Sequence, residues 1–216
     1  MDKANLSELQ KSYDRVAEQY ADHIADELQH KPLDRQLLDR FAATIKDAGL
    51  VCDIGCGPGH IARYLRERGV EVCGIDLSPE MVEQAKALNP EIEFRQGNMM
   101  ALESEDETFA GMTAFYSIIH IPRDEVIKAL TELKRVLRRN GLLLLAFHTG
   151  DETTHVEELW GEKVAFDVAF FQADEMRNYL TAAGFEIEEI IKRPPYDAAI
   201  EYQSHRAYIF ARKPLE

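Results

Sequence analysis

The sequence predicts an α/β fold: a doubly wound, seven-stranded sheet, mostly parallel with its last strand antiparallel, plus an N-terminal helical cap. Three observations carry that expectation. Strand-sized apolar runs alternate with helical stretches between residues 50 and 148, a rhythm that yields parallel strands with helices on both faces. A glycine-rich bend, VCDIGCGPGH at residues 51–60, follows the first run. Two late runs are joined by a link too short for a crossover helix, which suits an antiparallel pair.

Residues 5–28 and 33–48 read as two helices. In the first, Leu6, Leu9, Tyr13, Val16, Tyr20 and Ile24 recur at helical spacing. Lys31-Pro32 separates the two, and Pro32 suits a helix start. Strands follow near 50–54, 71–76, 91–96, 109–115 and 142–148, with helices near 58–68, 79–88 and 123–138. Ser78-Pro79-Glu80 makes a helix start, with Ser78 as cap and Pro79 in the first turn. Asn140-Gly141 reads as the stop of the third of these helices. Residues 149–171 follow no clean period but hold Trp160, Phe166, Phe170 and Phe171. A helix near 172–183 ends at Gly184. Strands near 185–192 and 203–212 complete the set, around a loop holding Pro194-Pro195-Tyr196. With no dividing linker, residues 1–216 read as one domain: 1–45 as cap, 46–148 as cofactor-binding core, 149–216 as substrate-side segment and terminal strands.

Acidic residues number 39 against 25 basic ones, a formal charge of −14. Nucleic-acid binders gain affinity by neutralising phosphates, so no nucleic-acid partner and no anionic membrane is expected; a small molecule fits this charge better. The one basic run, Lys134, Arg135, Arg138 and Arg139, sits near the end of a predicted helix, where cations suit the helix dipole. No window approaches the ~18 apolar residues of a membrane span. The polar N-terminus lacks the apolar region of a signal peptide, and the chain reads as cytoplasmic. Cys52, Cys56 and Cys73, an odd count, read as buried or turn-lining thiols; neither a disulfide framework nor a metal site is expected.

In an open parallel sheet, ligands bind beyond the carboxyl ends of the strands, where strand order reverses. The bend after the first strand holds that place, and Gly55, Gly57 and Gly59 strip it of side chains. The dinucleotide fingerprint G-x-G-x-x-G needs a glycine or alanine where this chain has His60. Pro58 also removes an N–H that a pyrophosphate would use. Asp76 ends the second strand about 20 residues further on, where a carboxylate accepts both ribose hydroxyls or simply caps the strand end. Asn98, after the third strand, either reads an adenine edge or forms a turn after Gly97. Leu77, Met99 and Met100 flank it as apolar covers. The combination describes an adenosine with a short uncharged or zwitterionic attachment.

VCDIGCGPGH, GIDLSPEMVEQA, FRQGNMM and FYSIIH resemble the successive motifs of class I S-adenosylmethionine-dependent methyltransferases. The similarity spans about residues 10–148 and is greatest to the ubiquinone/menaquinone-type and other small-molecule members. SYDRVAEQYADH resembles the N-terminal helix that lies over the cofactor in that group. The resemblance implies a Rossmann-like fold and S-adenosyl-L-methionine as cofactor, with S-adenosyl-L-homocysteine as product. It implies cofactor-binding positions as well: Asp53, Gly55 and Gly57 around the methionyl part, Asp76 at the ribose, and Asn98 and Met99 at adenine, with Cys56 a further cofactor-binding candidate. Phe115 and Tyr116 would lie beside the methionyl amine, and Leu77 and Met81 are further cofactor-binding candidates. Tyr13 and Tyr20 either line the site or form the core of their helix; Asp53 touches the cofactor or only braces the turn. Two positions depart from the family pattern: Asn98 replaces a frequent Asp, and Phe109-Ala110 replaces a common Phe-Asp.

Methyl transfer from a sulfonium is an in-line displacement, so positioning and water exclusion supply most of the rate. A base is needed only for an acceptor that arrives protonated. His120 after the fourth strand and His148 at the end of the fifth are the catalytic candidates for it, or else wall residues. Trp160, Phe170, Phe171, Tyr196, Tyr202 and His205 are candidates to line the substrate side. Lys31 and Arg35 either reach the methionyl carboxylate or sit on a solvated helix face. A metal-dependent catechol-type site is excluded, because Tyr116, Ser117, His120 and His148 supply no carboxylate cluster. Arg193-Pro194-Pro195-Tyr196 looks like the tetrad of amino-methylating nucleic-acid enzymes but comes after the sixth strand, and reads as a turn. Two other readings stay open: an NAD(P)-dependent oxidoreductase on the same topology, and a non-catalytic cofactor- or partner-binding module.

Overall fold

Residues 142–147, LLLLAF, explain how one sheet buries both faces. Successive side chains of a strand point to opposite sides. Here Leu142, Leu144 and Ala146 enter one core, and Leu143, Leu145 and Phe147 the other. A strand covered twice has no polar face, so its sequence does not alternate.

The computed structural model describes residues 3–216. Its strands are β1 (Val51–Ile54), β2 (Val72–Asp76), β3 (Glu93–Gln96), β4 (Phe109–Phe115), β5 (Leu137–Thr149), β6 (Thr153–Leu159), β7 (Glu162–Ala169), β8 (Glu186–Arg193) and β9 (His205–Arg212). Seven form one sheet in the order β3-β2-β1-β4-β5-β9-β8. The pairs among β1 to β5 are parallel, and β9 runs antiparallel to both β5 and β8. The expected seven strands and antiparallel last strand are therefore present. Helices α2 (Pro32–Ile45), α3 (His60–Arg66) and α4 (Pro79–Leu88) cover one face; α5 (Val126–Val136) and α6 (Ala173–Ala182) cover the other.

Helix α1 (Lys3–Ile24) packs on neither face. Its buried Leu9 and Val16 join Val164 and Phe166 of β7 in a separate small cluster. The two-helix cap expected from the sequence is thus half right, because α2 sits on the sheet with Leu37, Leu38 and Phe41 in its core. A single 3-10 turn, Glu27–His30, separates α1 from α2, and Pro32 opens α2 as expected. Ser78 caps α4 by accepting the Met81 N–H at 3.1 Å, a contact worth about 1 kcal/mol.

Two stretches differ from expectation. Helix α5 stops at Val136, four residues before Asn140-Gly141. Asn140, with φ of 61°, instead forms an irregularity within β5, where its N–H donates to the Lys213 carbonyl. Lys134 and Arg135 of the basic run lie in the last turn of α5, as expected, and Arg138 and Arg139 fall in β5; Arg135 pairs with Glu132 and Asp106, and Arg139 with Glu107. Residues 149–171 contain the β6–β7 hairpin. Leu159 pairs with Glu162 across Trp160 and Gly161, whose φ angles are 50° and 86°. Two positive φ values make the type I′ turn that a two-residue hairpin favours. Among the described residues, no helix is long and apolar enough to cross a membrane.

Candidate active site

Strand order reverses at β1, which has β2 on one side and β4 on the other. A cleft opens over their carboxyl ends, the place where an open parallel sheet binds its ligand. Helix α1 forms its roof.

The glycine bend is shaped by two different constraints. A Cβ on Gly55 would lie 2.3 Å from the Ser117 Cβ, and one on Gly59 would lie 2.7 Å from the Phe94 ring. These two glycines are bare so that the protein can pack against itself. Ser117 also donates to the Ile54 carbonyl at 2.9 Å, locking the turn after β4 onto the end of β1. Gly57 is different. Its φ is +51°, and a Cβ there would meet only the Tyr20 ring edge, at 3.8 Å. Its missing side chain leaves space in the cleft itself.

Asp76 ends β2 at the cleft wall. Its Oδ2 accepts the Gly57 N–H at 2.8 Å and its Oδ1 accepts the Ser78 N–H at 2.9 Å. Burial raises its pKa, although those two backbone donors pull the other way. Each oxygen keeps a second lone pair for another donor. Asn98 lines the cleft and also forms a turn: its Oδ1 accepts the Met100 N–H at 2.9 Å, which directs its amide nitrogen elsewhere as a donor. Leu77, Met81 and Met99 complete this apolar-edged wall. Helix α1 is pinned to it, since Ser78 donates its hydroxyl to Asp14 at 2.5 Å.

The opposite wall carries His120. Its Nδ1 lies 3.0 Å from the Asp167 carbonyl and its Nε2 2.7 Å from the Tyr13 hydroxyl. A carbonyl only accepts, so Nδ1 holds the proton and Nε2 accepts the Tyr13 O–H. Burial pushes the His120 pKa down to about 4, against the pull of the Asp167 carbonyl. His120 is neutral at pH 7. The Tyr13 ring stacks on Phe166 at 5.1 Å and 12°. Burial also raises the pKa of Tyr13 and Tyr20 well above the usual phenol value, so both stay protonated. Tyr116 lines the same wall with φ of 53°, a sparsely populated backbone conformation for a bulky residue that its N–H to Ala146 bond helps to hold.

The structure therefore brings Tyr13, Tyr20, Gly55, Gly57, Asp76, Leu77, Met81, Asn98, Met99, Phe115, Tyr116 and His120 around one cleft. Other expected site residues lie elsewhere. Cys56 is buried on the α3 side of the sheet, with its sulfur facing Gly74. Asp53 lies beneath the bend, where its Oδ1 accepts the Thr113 hydroxyl at 2.7 Å and its Oδ2 has no partner. Burial pushes its pKa up to about 6, against that hydrogen bond.

His148 is behind Tyr116, 2.8 Å from the Ser204 hydroxyl and among the rings of Tyr116, Phe170 and Tyr202. Burial, then the charges of Arg206 and Lys31, push its pKa down to about 3. Phe171 packs on Phe147 in the sheet core, and Tyr196 accepts the Leu33 N–H at the start of α2. Trp160 stacks on His23 at 4.3 Å, and Tyr202 and His205 are exposed. None of these lines the cleft. Lys31 is buried in ion pairs with Glu27 at 2.7 Å and Glu201 at 3.8 Å, and Arg35 donates to the carbonyls of Leu28 and Gln29. Neither lines the cleft. Leu6, Leu9, Gln10, Ser117 and Ile121 also line the cleft and were not foreseen. The spacing of Leu6, Leu9 and Tyr13 on α1 was the available signal.

A family of methyltransferase domains matches residues 51–141. A malonyl-[acyl-carrier protein] O-methyltransferase of Enterobacter lignolyticus is 30% identical over 149 residues, 69% of this chain. The chain spans only 57% of that relative's length. A putative methyltransferase of Bacillus subtilis is 27% identical over 203 residues, covering 78% of this chain and 82% of its own length. Among solved structures, DhpI in complex with SAH superposes over 100% of both chains with a TM-score of 0.77 at 18% identity. That likeness shows a shared fold.

Proposed function

Because this chain belongs to the class I S-adenosylmethionine-dependent methyltransferases, we propose that its cleft holds S-adenosyl-L-methionine against a small-molecule acceptor and passes the methyl group to it by in-line displacement. One juxtaposition carries the reading: the Asp76 carboxylate, the bare Gly57 and the Nε2 of His120 share one cleft.

The residues present fit an adenosyl group. Gly57 leaves open the space that a Cβ would fill. Asp76 retains lone pairs for two ribose hydroxyls, and Asn98 retains an amide donor for adenine. The bend is poor in phosphate donors, since Pro58 has no N–H and the Gly57 N–H already serves Asp76. That counts against a pyrophosphate and so against a dinucleotide. When bound, the cofactor supplies an electrophilic methyl on a sulfonium. The protein's part is to orient and to exclude water. Tyr13 and Tyr20 close the roof, and Leu77, Met81 and Met99 cover the adenosine. His120 receives a proton from an acceptor that arrives protonated. A base this weak does not ionise a hydroxyl beforehand; it takes the proton as the new bond forms and the oxygen becomes strongly acidic.

Calorimetry with S-adenosyl-L-homocysteine and with NADH tests this reading. Binding of the first and not the second is expected. Asp76→Ala should weaken S-adenosyl-L-homocysteine binding at least tenfold, about 1.4 kcal/mol. Unchanged affinity in a folded variant would remove Asp76 from the ribose.

A further inference from the structure

A second cleft of about 430 Å3 meets the first at Leu9, His120 and Ile121, which line both. It runs between α1, the turn after β4 and the β6–β7 hairpin. Ile119, Phe166 and Ala169 add to its apolar lining. Its basic side chains besides His120 are Arg123 and His155, and both are occupied within the protein. Arg123 pairs with Glu175 at 3.1 Å and donates to Thr153 and to the carbonyls of Asp151 and Phe170. His155 pairs with Asp167 at 2.7 Å. An anionic acceptor entering here meets no unpaired cation.

Where the two clefts join, the protein already holds a phenol. The Tyr13 ring is stacked on Phe166, edge-on to His120, and its hydroxyl sits 2.7 Å from His120 Nε2. The His120 ring is held by the Asp167 carbonyl, so Nε2 presents a lone pair to whatever O–H arrives. The site is complementary to an aromatic ring bearing an un-ionised hydroxyl.

We propose that the acceptor is a neutral phenol that enters by the second cleft and displaces Tyr13 from its place at His120 and Phe166. This rests on the methyl-transfer reading above. In the reaction the phenol oxygen bonds to the methyl carbon as the carbon–sulfur bond of the sulfonium breaks. The phenolic proton passes to His120 Nε2. The products are an aryl methyl ether, S-adenosyl-L-homocysteine and an imidazolium that returns its proton to water. A carboxylate acceptor would need no base and would benefit from a cation; this junction offers the reverse.

Binding of three fluorescent probes to the full chain, with S-adenosyl-L-homocysteine affinity measured separately, provides the test. 2-Naphthol should bind at least tenfold more tightly than 2-naphthoate or 2-methoxynaphthalene. His120→Phe should abolish the preference for the naphthol over its methyl ether. Tyr13→Ala should tighten naphthol binding at least fivefold. Tyr13→Phe, which keeps the helix packing but frees Nε2, should tighten it less. The proposal is overturned if naphthol does not bind saturably, if naphthoate binds as well, if the preference survives His120→Phe, or if neither Tyr13 variant gains affinity. Should S-adenosyl-L-homocysteine itself fail to bind the unmodified protein, the methyl-transfer reading fails instead. Binding of S-adenosyl-L-homocysteine without any phenol preference sinks only the acceptor assignment.

Discussion

The floor and the roof of the cleft are built in different ways. The floor (Gly55, Gly57, Asp76 and Asn98) comes from the turns that follow neighbouring strands, and backbone hydrogen bonds fix it. The roof comes from α1 and β7, whose contacting residues Ser12 and Ala165 are 153 positions apart. Ring packing and a few hydroxyls hold it. A floor made of strand ends is as rigid as the sheet. A roof made by docking two peripheral elements opens at the cost of that docking alone, which suits an element that must admit and release ligands.

Changes to the floor should have the largest effects. Gly55→Ala places a Cβ against Ser117 and keeps a φ of +65° that alanine disfavours. Overpacking and backbone strain each cost on the order of 1–3 kcal/mol, so a loss of about 3 kcal/mol is expected in urea unfolding. The clash is with the Ser117 Cβ. Ser117→Gly should therefore recover part of the loss, whereas Ser117→Ala should recover none. Equal recovery by both would mean that the hydroxyl, not the packing, couples the two turns.

A second effect on the floor depends on pH. The Asp53 pKa stands at about 6 in the folded protein, above the ordinary value of about 3.9. A raised carboxyl favours the folded state below its unfolded pKa and loses that contribution as pH rises through its folded pKa. Wild-type stability should therefore fall between about pH 4 and pH 7 by an Asp53 contribution on the order of 2 kcal/mol. Asp53→Asn can still accept the Thr113 hydroxyl and should flatten that part of the profile. Parallel profiles for the two proteins would show that the Asp53 carboxylate is solvated or paired.

The same contrast explains what could be read in the sequence. The floor was legible because each part is local: a glycine bend, an acid ending a strand, an Asn-Met turn, a Ser-Pro helix start. A parallel sheet fixes where such turns lie relative to one another. The roof was legible only in part: the resemblance placed the N-terminal helix over the cofactor, but nothing placed β7 against it. Phe166 and Tyr13 are adjacent only after α1 docks on β7, and no local period announces that contact. The hairpin itself was hidden by its turn, which has Trp160 where Asn or Asp commonly supplies the positive φ. The expected aromatic lining went astray for a related reason. Phe171, Trp160 and Tyr196 look like ligand-facing residues in sequence, yet Phe171 packs in the sheet core, Trp160 stacks on His23 at the surface, and Tyr196 accepts the Leu33 N–H.

Loosening the roof should have a smaller effect. The Ser12 hydroxyl accepts the Ala165 N–H at 2.9 Å, in a place where Ser12 is fully buried. Ser12→Ala leaves that donor unpaired, at a cost of about 1–2 kcal/mol. Hydrogen exchange should speed up in α1 and in β6–β7, while β1, β2 and β4 keep their protection. Faster exchange throughout the sheet would show that roof and floor unfold as one unit, and the distinction between them would go.

The smallest effect is expected at His148. By chain position it rivals His120, since both follow strand ends at the mouth of the sheet. The difference is what stands in front of them. His120 lines the cleft with its Nε2 against the Tyr13 hydroxyl, whereas His148 does not line it, packs against the Tyr116 ring and has its Nδ1 against Ser204. Burial and two neighbouring cations also keep His148 neutral at pH values down to about 3, so it offers the cleft no charge. His148→Gln should leave S-adenosyl-L-homocysteine affinity within about twofold, a change of about 0.4 kcal/mol, and single-turnover methylation of an acceptor phenol within a similar factor. A tenfold drop in the methylation rate at unchanged cofactor affinity would make His148 the working base and Tyr116 a gate that swings aside, because only direct contact with the acceptor would separate the two readouts.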